Sequence, residues 1–251
     1  WNAKAQIPEV YSSTTKIRVT VDDREAANNL SQAVSANFIL DTKNPTRGIP
    51  PFSINASVSP AQLTINASDN SLFQMRIGFQ SDLSDASWED YSNSKTISLP
   101  SGSSVTLYYQ YRDIYGNITP IFSATTPEKP VGFIIQDTSN LTASPVKYSL
   151  HLDWQEISEP STAPFKQYNI LRSTDGINFS QIATILSKSI THHTDASVLP
   201  NTLYYYKITA QDQDNNISFA SNVVRGMANG AQDFDEGSGQ PVVQFSRPGD
   251  T

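Results

Sequence analysis

The sequence predicts an all-β fold, a tandem of antiparallel β-sandwiches, on three observations. The first is alternation. Leu150, Leu152 and Trp154 share one face of a strand while His151, Asp153 and Gln155 share the other. Tyr204, Tyr206, Ile208 and Ala210 repeat the pattern against Tyr205, Lys207 and Thr209, as do Val105, Leu107, Tyr109 and Tyr111 against Thr106, Tyr108, Gln110 and Arg112. The second is punctuation: Asn, Asp, Gly and Pro interrupt these runs every 8–12 residues or so, the spacing of short strands in a sandwich. The third is an internal repeat of about 100 residues. Leu99-Pro100 returns as Leu199-Pro200, and Asp113 to Thr119 (DIYGNIT) returns as Asp212 to Ser218 (DQDNNIS). Met75 to Phe79, followed by Asp82 and Trp88, is echoed by Tyr168 to Arg172, followed by Asp175 and Phe179.

In chain order, residues 1–47 read as the closing half of one such sandwich. They hold Trp1, a strand in which Ile17, Val19 and Val21 alternate with Lys16, Arg18 and Thr20, the pair Asp22-Asp23, and Phe38 to Asp41 before Pro45. The stretch Glu25 to Leu30 has room for a turn of helix at most, and no window shows a 3.6-residue period. Half a sandwich cannot bury its apolar face. The expectation is therefore either a chain cut from a longer polypeptide, as a start at Trp1 and not Met suggests, or a half completed by strand addition from an adjacent subunit. Residues 48–126 form the next sandwich and 127–227 the third. Two proline-rich stretches, Asn44 to Pro51 and Thr125 to Pro130, are expected as short stiff linkers that set the modules end to end. Residues 228–251, rich in Gly, Asp and Glu, are expected as a flexible linker or tail, with Val242 to Phe245 able to pair as a short strand.

The third segment resembles a fibronectin type III domain. The residues that carry the resemblance are Leu152-Asp153-Trp154 on its second strand, Tyr168 to Ser173 on its third, the Asp175-Gly176 turn, and Leu199 to Tyr204 ahead of the long Tyr/Ile strand. The resemblance implies Trp154 at the centre of a core without a disulfide. It also implies Tyr204 as a tyrosine corner, its hydroxyl bonded to backbone a few residues upstream. Asp175-Gly176 supplies the positive φ of a tight hairpin. Residues 48–126 resemble a looser immunoglobulin-like module of the kind found in large bacterial surface proteins, through Ser87 to Tyr91, Leu99 to Gly102 and Tyr111 to Asn117. Val105 stands there in place of the corner tyrosine, and the second strand (Leu63, Ile65) has no tryptophan.

Composition narrows function further. With 33 Ser, 21 Thr, 18 Asn and 15 Pro, and only 16% charged residues, the chain is neither a helical bundle nor a charged disordered polymer. A net charge of −7 and a pI near 4.9 repel a phosphate backbone, so nucleic acid is not expected as a partner. No apolar run approaches the roughly 18 residues of a spanning helix, so membrane insertion is not expected either. The absence of cysteine removes thiol catalysis, Fe–S clusters and Cys-type zinc sites. No nucleotide-binding, nucleophile-elbow or zinc-protease motif occurs. His192 and His193, adjacent on a strand, point to opposite faces, and neither Glu89-Asp90 nor Asp22-Asp23 forms a glycosidase pair.

Calcium is the one cofactor the residues raise: Asp212, Asp214 and Asn216 place oxygen side chains at alternate positions. Ile217 stands where a calcium loop needs glycine, however, and turn chemistry accounts for the same residues. Outward tyrosines (Tyr108, Tyr115, Tyr205) are candidates for a carbohydrate platform, against the plainer role of cross-strand packing. Seven Asn-x-Ser/Thr sequons, at Asn29, Asn55, Asn66, Asn117, Asn140, Asn178 and Asn216, prove little as a glycosylation signal in so hydroxyl-rich a chain. The expected protein is thus not an enzyme. It is a structural or adhesive segment (stalk, spacer or filament scaffold) of a larger extracellular bacterial surface protein. Its expected partners are neighbouring modules or adjacent subunits, with carbohydrate or protein at the cell surface as further candidates. Two alternatives are accessory modules of a secreted polysaccharide-degrading enzyme and a self-assembling surface-layer or fibre subunit.

Overall fold

The computed structural model describes residues 2–24, 30–137, 148–158 and 163–229. Most of the Glu25 to Leu30 stretch, and the Val242 to Phe245 strand with nearly all of the tail, lie outside the described residues. Within them the fold is all-β but for one turn of helix, α1 (Ala3–Gln6), too short to leave a period in the sequence. Asn2 caps it by accepting from Ala5 N–H at 3.2 Å.

Two small sheets follow. β1 (Tyr11–Thr15) pairs with β4 (Phe38–Asp41), and β2 (Arg18–Asp22) pairs with β3 (Leu30–Val34), both antiparallel. Thr42, buried just after β4, ties this region together: its N–H donates to Val10 O and its hydroxyl to Ile7 O. The alternation of Ile17, Val19 and Val21 does not mark a buried face. Every residue of β2 and β3 is exposed, because a two-stranded ribbon has no second layer to cover either side.

The next seven strands are β5 (Thr46–Asn55), β6 (Ala61–Ser68), β7 (Phe73–Gly78), β8 (Glu89–Asp90), β9 (Ser94–Ile97), β10 (Thr106–Asp113) and β11 (Phe122–Thr125). They form a three-stranded sheet β5-β6-β9 and a four-stranded sheet β11-β10-β7-β8. The last seven are β12 (Ile134–Asp137), β13 (Leu150–Asp153), β14 (Phe165–Ser173), β15 (Ser180–Ile185), β16 (His192–Asp195), β17 (Leu203–Asp212) and β18 (Val224–Met227). Their sheets are β12-β13-β16 and β15-β14-β17-β18. Counted within each set of seven, the order is the same: first, second and fifth strands on one side, fourth, third, sixth and seventh on the other. The repeat legible in the sequence is a repeat of topology.

The proline-rich stretch before residue 52 is not a free linker. Thr46–Asn55 is one continuous strand, and it tolerates Pro50 and Pro51 because β5 lies at the edge of its sheet. Thr126, in the second proline-rich stretch, is buried. Its N–H donates to Val105 O, and its hydroxyl oxygen accepts from Val105 N–H.

By its packing the chain divides into two compact units. The first takes the residues up to Phe52, with Leu63–Lys95 and Thr106–Ala124; the second takes Ser53–Gln62, Thr96–Val105 and the chain from Thr125 on. The core of the first unit is aromatic. Phe52 stacks on Tyr109 (4.4 Å between centroids), Phe73 on Tyr91 (4.3 Å), and Tyr111 meets Phe73, Tyr91 and Tyr109 edge-on. Tyr109 pairs with Ile77 and Tyr111 with Met75 across β10 and β7, which turns the four side chains to one buried face. Gln110 breaks the alternation: expected outside, it is buried because it accepts from Arg76 (2.6 Å) and donates to Thr119 O (2.6 Å).

The core of the second unit contains Leu150, Leu152, Trp154, Tyr168, Ile170, Tyr204, Tyr206, Ile208 and Ala210, the inward sets that alternation picks out. Trp154 is 5% exposed, with its ring edge-on to Tyr168 (5.3 Å) and to Phe133 (6.4 Å). Tyr204 is a tyrosine corner: its hydroxyl oxygen accepts from Leu199 N–H at 3.1 Å. Gly176 has φ +73°, as the hairpin requires. The Asp175 carboxylate beside it accepts from Ser173 Oγ and from the N–H groups of Ile177 and Asn178, bonds that hold it well below the usual carboxylate range.

Candidate functional site

The two copies of the repeated Asp-x-x-x-Asn motif fold into one turn. At the end of β10, Asp113 Oδ1 accepts from Asn117 N–H (2.8 Å) and Oδ2 from Asn117 Nδ2 (2.6 Å). At the end of β17, Asp212 Oδ1 accepts from Asn216 N–H (2.8 Å) and Oδ2 from Asn216 Nδ2 (2.8 Å). Backbone closes both loops, since Asp113 N–H donates to Asn117 O and Asp212 N–H to Asn216 O, each at 3.1 Å. The third residue after each Asp carries positive φ, Gly116 at +86° and Asn215 at +65°, which is why glycine stands in one copy and asparagine in the other.

Each turn also grips a distant stretch of chain. In the first unit, Asn117 Nδ2 donates to Asp41 O (3.1 Å) and Asn117 Oδ1 accepts from Lys4 Nζ (3.0 Å). In the second unit, Asn216 Oδ1 accepts from Ile54 N–H (3.0 Å). Ile217 N–H donates to Ile54 O (2.7 Å), and Ala56 N–H to Ile217 O (3.0 Å). The calcium candidates Asp212 and Asn216 therefore bond each other and the Ile54 backbone. Asp214 is half-buried beside them, one of the charges acting on Asp212.

Burial, with Asp214 assisting against the Asn216 hydrogen bonds, pushes the Asp212 carboxyl up to about 6. The folded chain thus holds this proton more tightly than the unfolded one. The contribution is fully present below the unfolded value near 4 and is lost as pH rises through about 6. Carbon-detected NMR should show the Asp212 side chain titrating near pH 6, and Asp212→Asn should remove this component of the pH profile of stability between 4 and 6. A midpoint near 4 would contradict the burial described.

One set of three acidic side chains converges among the described residues, and it is not the set the sequence suggests. Asp41 ends β4, Asp69 follows β6 and Asp113 ends β10, and one oxygen from each lies within 4.8 Å of the others. All three belong to the first unit. Asp113 is buried, and besides Asn117 it accepts from Tyr115 N–H (2.8 Å). Asp69 is half-buried and accepts from Ser71 N–H through Oδ2 (3.0 Å). Asp41 Oδ1 accepts from Lys43 N–H (3.1 Å), whereas its Oδ2 is buried with no hydrogen-bond partner. Burial first, then the charges of Asp113 and Asp69, raise the Asp41 carboxyl above its ordinary value. No sequence pattern announces this set, because its members come from three elements far apart in the chain.

The other residues singled out by sequence fall in ordinary places. His151 and His192 stack at 5.8 Å on one face of the β13–β16 pair; His193 pairs with Leu152, and burial lowers its imidazole pKa. Glu89 is ion-paired with Lys95, and Asp22 accepts from Arg24 N–H. Tyr205 lies over Gly176, Tyr108 is half-buried and Tyr115 is exposed. Asn117 and Asn216 are buried and fully engaged, so these two sequons are closed to glycosylation in the folded chain. Trp88 carries a feature sequence reading missed, with the guanidinium groups of Arg76 (4.8 Å) and Arg112 (4.4 Å) both over its ring.

No protein-family model matches the chain, and no curated protein does. Among solved structures it is similar to a fibronectin-type-III-like protein from Clostridium thermocellum (27% identity, 40% of this chain and 91% of that one, TM-score 0.30). It is also similar to a set of titin domains (10% identity, 86% and 75%, TM-score 0.35). A third likeness is to the FN1–FN3 domains of chicken CNTN1 (10% identity, 85% and 77%, TM-score 0.34). The sandwich fold itself is carried by the strand order above.

Proposed function

We propose that the chain is a non-catalytic structural or adhesive segment (a stalk, spacer or filament scaffold) of a larger extracellular bacterial surface protein. The observation that supports this most is the paired Asp–Asn turn. Twice, a buried carboxylate and a buried amide lock a loop and fasten it to a remote stretch of chain, at Asp41 in one unit and at Ile54 to Ala56 in the other. Polar groups arranged in this way resist separation of the segments they join. The acidic, hydroxyl-rich composition suits a surface that stays solvated and does not stick. Antibodies raised against residues 128–227 should label intact cells of the source organism, and protease added to those cells should abolish the labelling. Signal obtained only after lysis would overturn the surface assignment.

A further inference from the structure

We propose that Asp41, Asp69 and Asp113 form a calcium site that clamps the end of β4 to the β6–β7 turn and to the end of β10. The three carboxylates present one oxygen each within 4.8 Å of the others. Among the described ion pairs none involves any of them, and Lys4 Nζ bonds the amide oxygens of Asn44 and Asn117. Such a cluster of like charge is unfavourable without a counter-ion.

The orphaned Asp41 Oδ2 points to what completes it. It is withdrawn from solvent, it accepts no hydrogen bond, and it belongs to a carboxylate whose other oxygen is satisfied by Lys43 N–H. A buried acceptor of this kind costs free energy unless a donor or a cation meets it. Asp113 uses three of the roughly four acceptor directions of a carboxylate on Tyr115 and Asn117, leaving one for a ligand.

The donor set and its spacing select the ion. All donors are carboxylate oxygens, which suit hard cations and not zinc or copper. An ion centred among three atoms no more than 4.8 Å apart sits at most about 2.8 Å from each, close to the Ca–O range of about 2.3–2.6 Å. Mg²⁺ requires about 2.0–2.1 Å and strict octahedral geometry, so the widest spacing allowed here would have to contract. The half-buried Asp69 leaves room for water to fill the remaining positions.

The test uses the whole chain, stripped with EDTA and melted in rising CaCl₂. The unfolding temperature should climb by several degrees with a midpoint of about 10⁻⁴–10⁻³ M, typical of extracellular modules, while MgCl₂ at equal concentration gives a smaller rise. Asp41→Asn and Asp69→Asn should each abolish the calcium response, and isothermal titration of the wild type should give one site. Asp113 is left unmutated because it also holds its turn. Asp212→Asn, in the sister turn without the triad, should keep the response. A wild type that neither shifts nor titrates at 10-fold higher calcium (about 10⁻² M) would overturn the proposal and assign the cluster a shared proton. An undiminished shift in both triad variants would overturn it as well.

Discussion

Trp154→Ala is expected to cost about 3–5 kcal/mol, enough to unfold a module of ordinary stability near physiological temperature. The residue is 5% exposed and meets Phe133 and Tyr168 edge-on, so its removal leaves a cavity among rigid rings that cannot collapse to fill it. Urea unfolding followed by circular dichroism measures the loss. A change below about 1 kcal/mol would mean that the ring does not hold the core.

An equally large effect is expected at Asp195, which sequence reading passed over. It ends β16 in the three-stranded sheet, is buried, and receives Arg172 Nη1 (2.8 Å) from β14 and Tyr206 Oη (2.9 Å) from β17 in the four-stranded sheet. Ser197 fills its other oxygen through N–H (2.9 Å) and Oγ (2.7 Å). In a chain without cysteine, this is a polar cross-link between the two layers. Asp195→Ala leaves a charged guanidinium beside a dry phenol, and breaking such a pair costs about 3–5 kcal/mol. The partial exposure of Arg172 puts the effect toward the lower end. Burial opposes the Asp195 charge, but Ser197, Arg172 and Tyr206 outweigh it and hold the carboxyl below its ordinary value. The stability it supplies is therefore present above the unfolded value near 4 and lost as pH falls through the lower folded value. Asp195→Asn should flatten that acid limb as well as weaken the fold. An unchanged acid limb in the variant would contradict the arrangement.

Much of the fold was legible because strand periodicity and turn chemistry are local. Leu150, Leu152 and Trp154 alternate in a way only a half-buried strand explains, and Asp175-Gly176 names its own turn. The corner at Tyr204 was legible through resemblance, and its bond to Leu199 is as expected. Val19 and Val21 show where the rule runs out: alternation reports a face, but whether a second layer covers that face depends on chain the period does not see. Gln110 is buried against the pattern because its partners, Arg76 and Thr119, lie on other elements. The acidic set was illegible for the same reason. Asp41, Asp69 and Asp113 have no common spacing, and only the return of β4, β6 and β10 to one corner brings them together. Sequence did mark Asp113 and Asp212 as equivalent turn residues. It could not show that one of them gathers two further carboxylates.

In the proposed structural role, buried rings, the Asp195 cross-link and the Asp–Asn turns would supply cohesion under load. Single-molecule stretching of the chain tests it most directly. Two abrupt unfolding events are expected, one for β5–β11 (Thr46 to Thr125) and one for β12–β18 (Ile134 to Met227), with extended lengths of about 26–29 nm and about 31–34 nm at about 3.3–3.6 Å per residue. Gradual lengthening with no force peak would contradict the account.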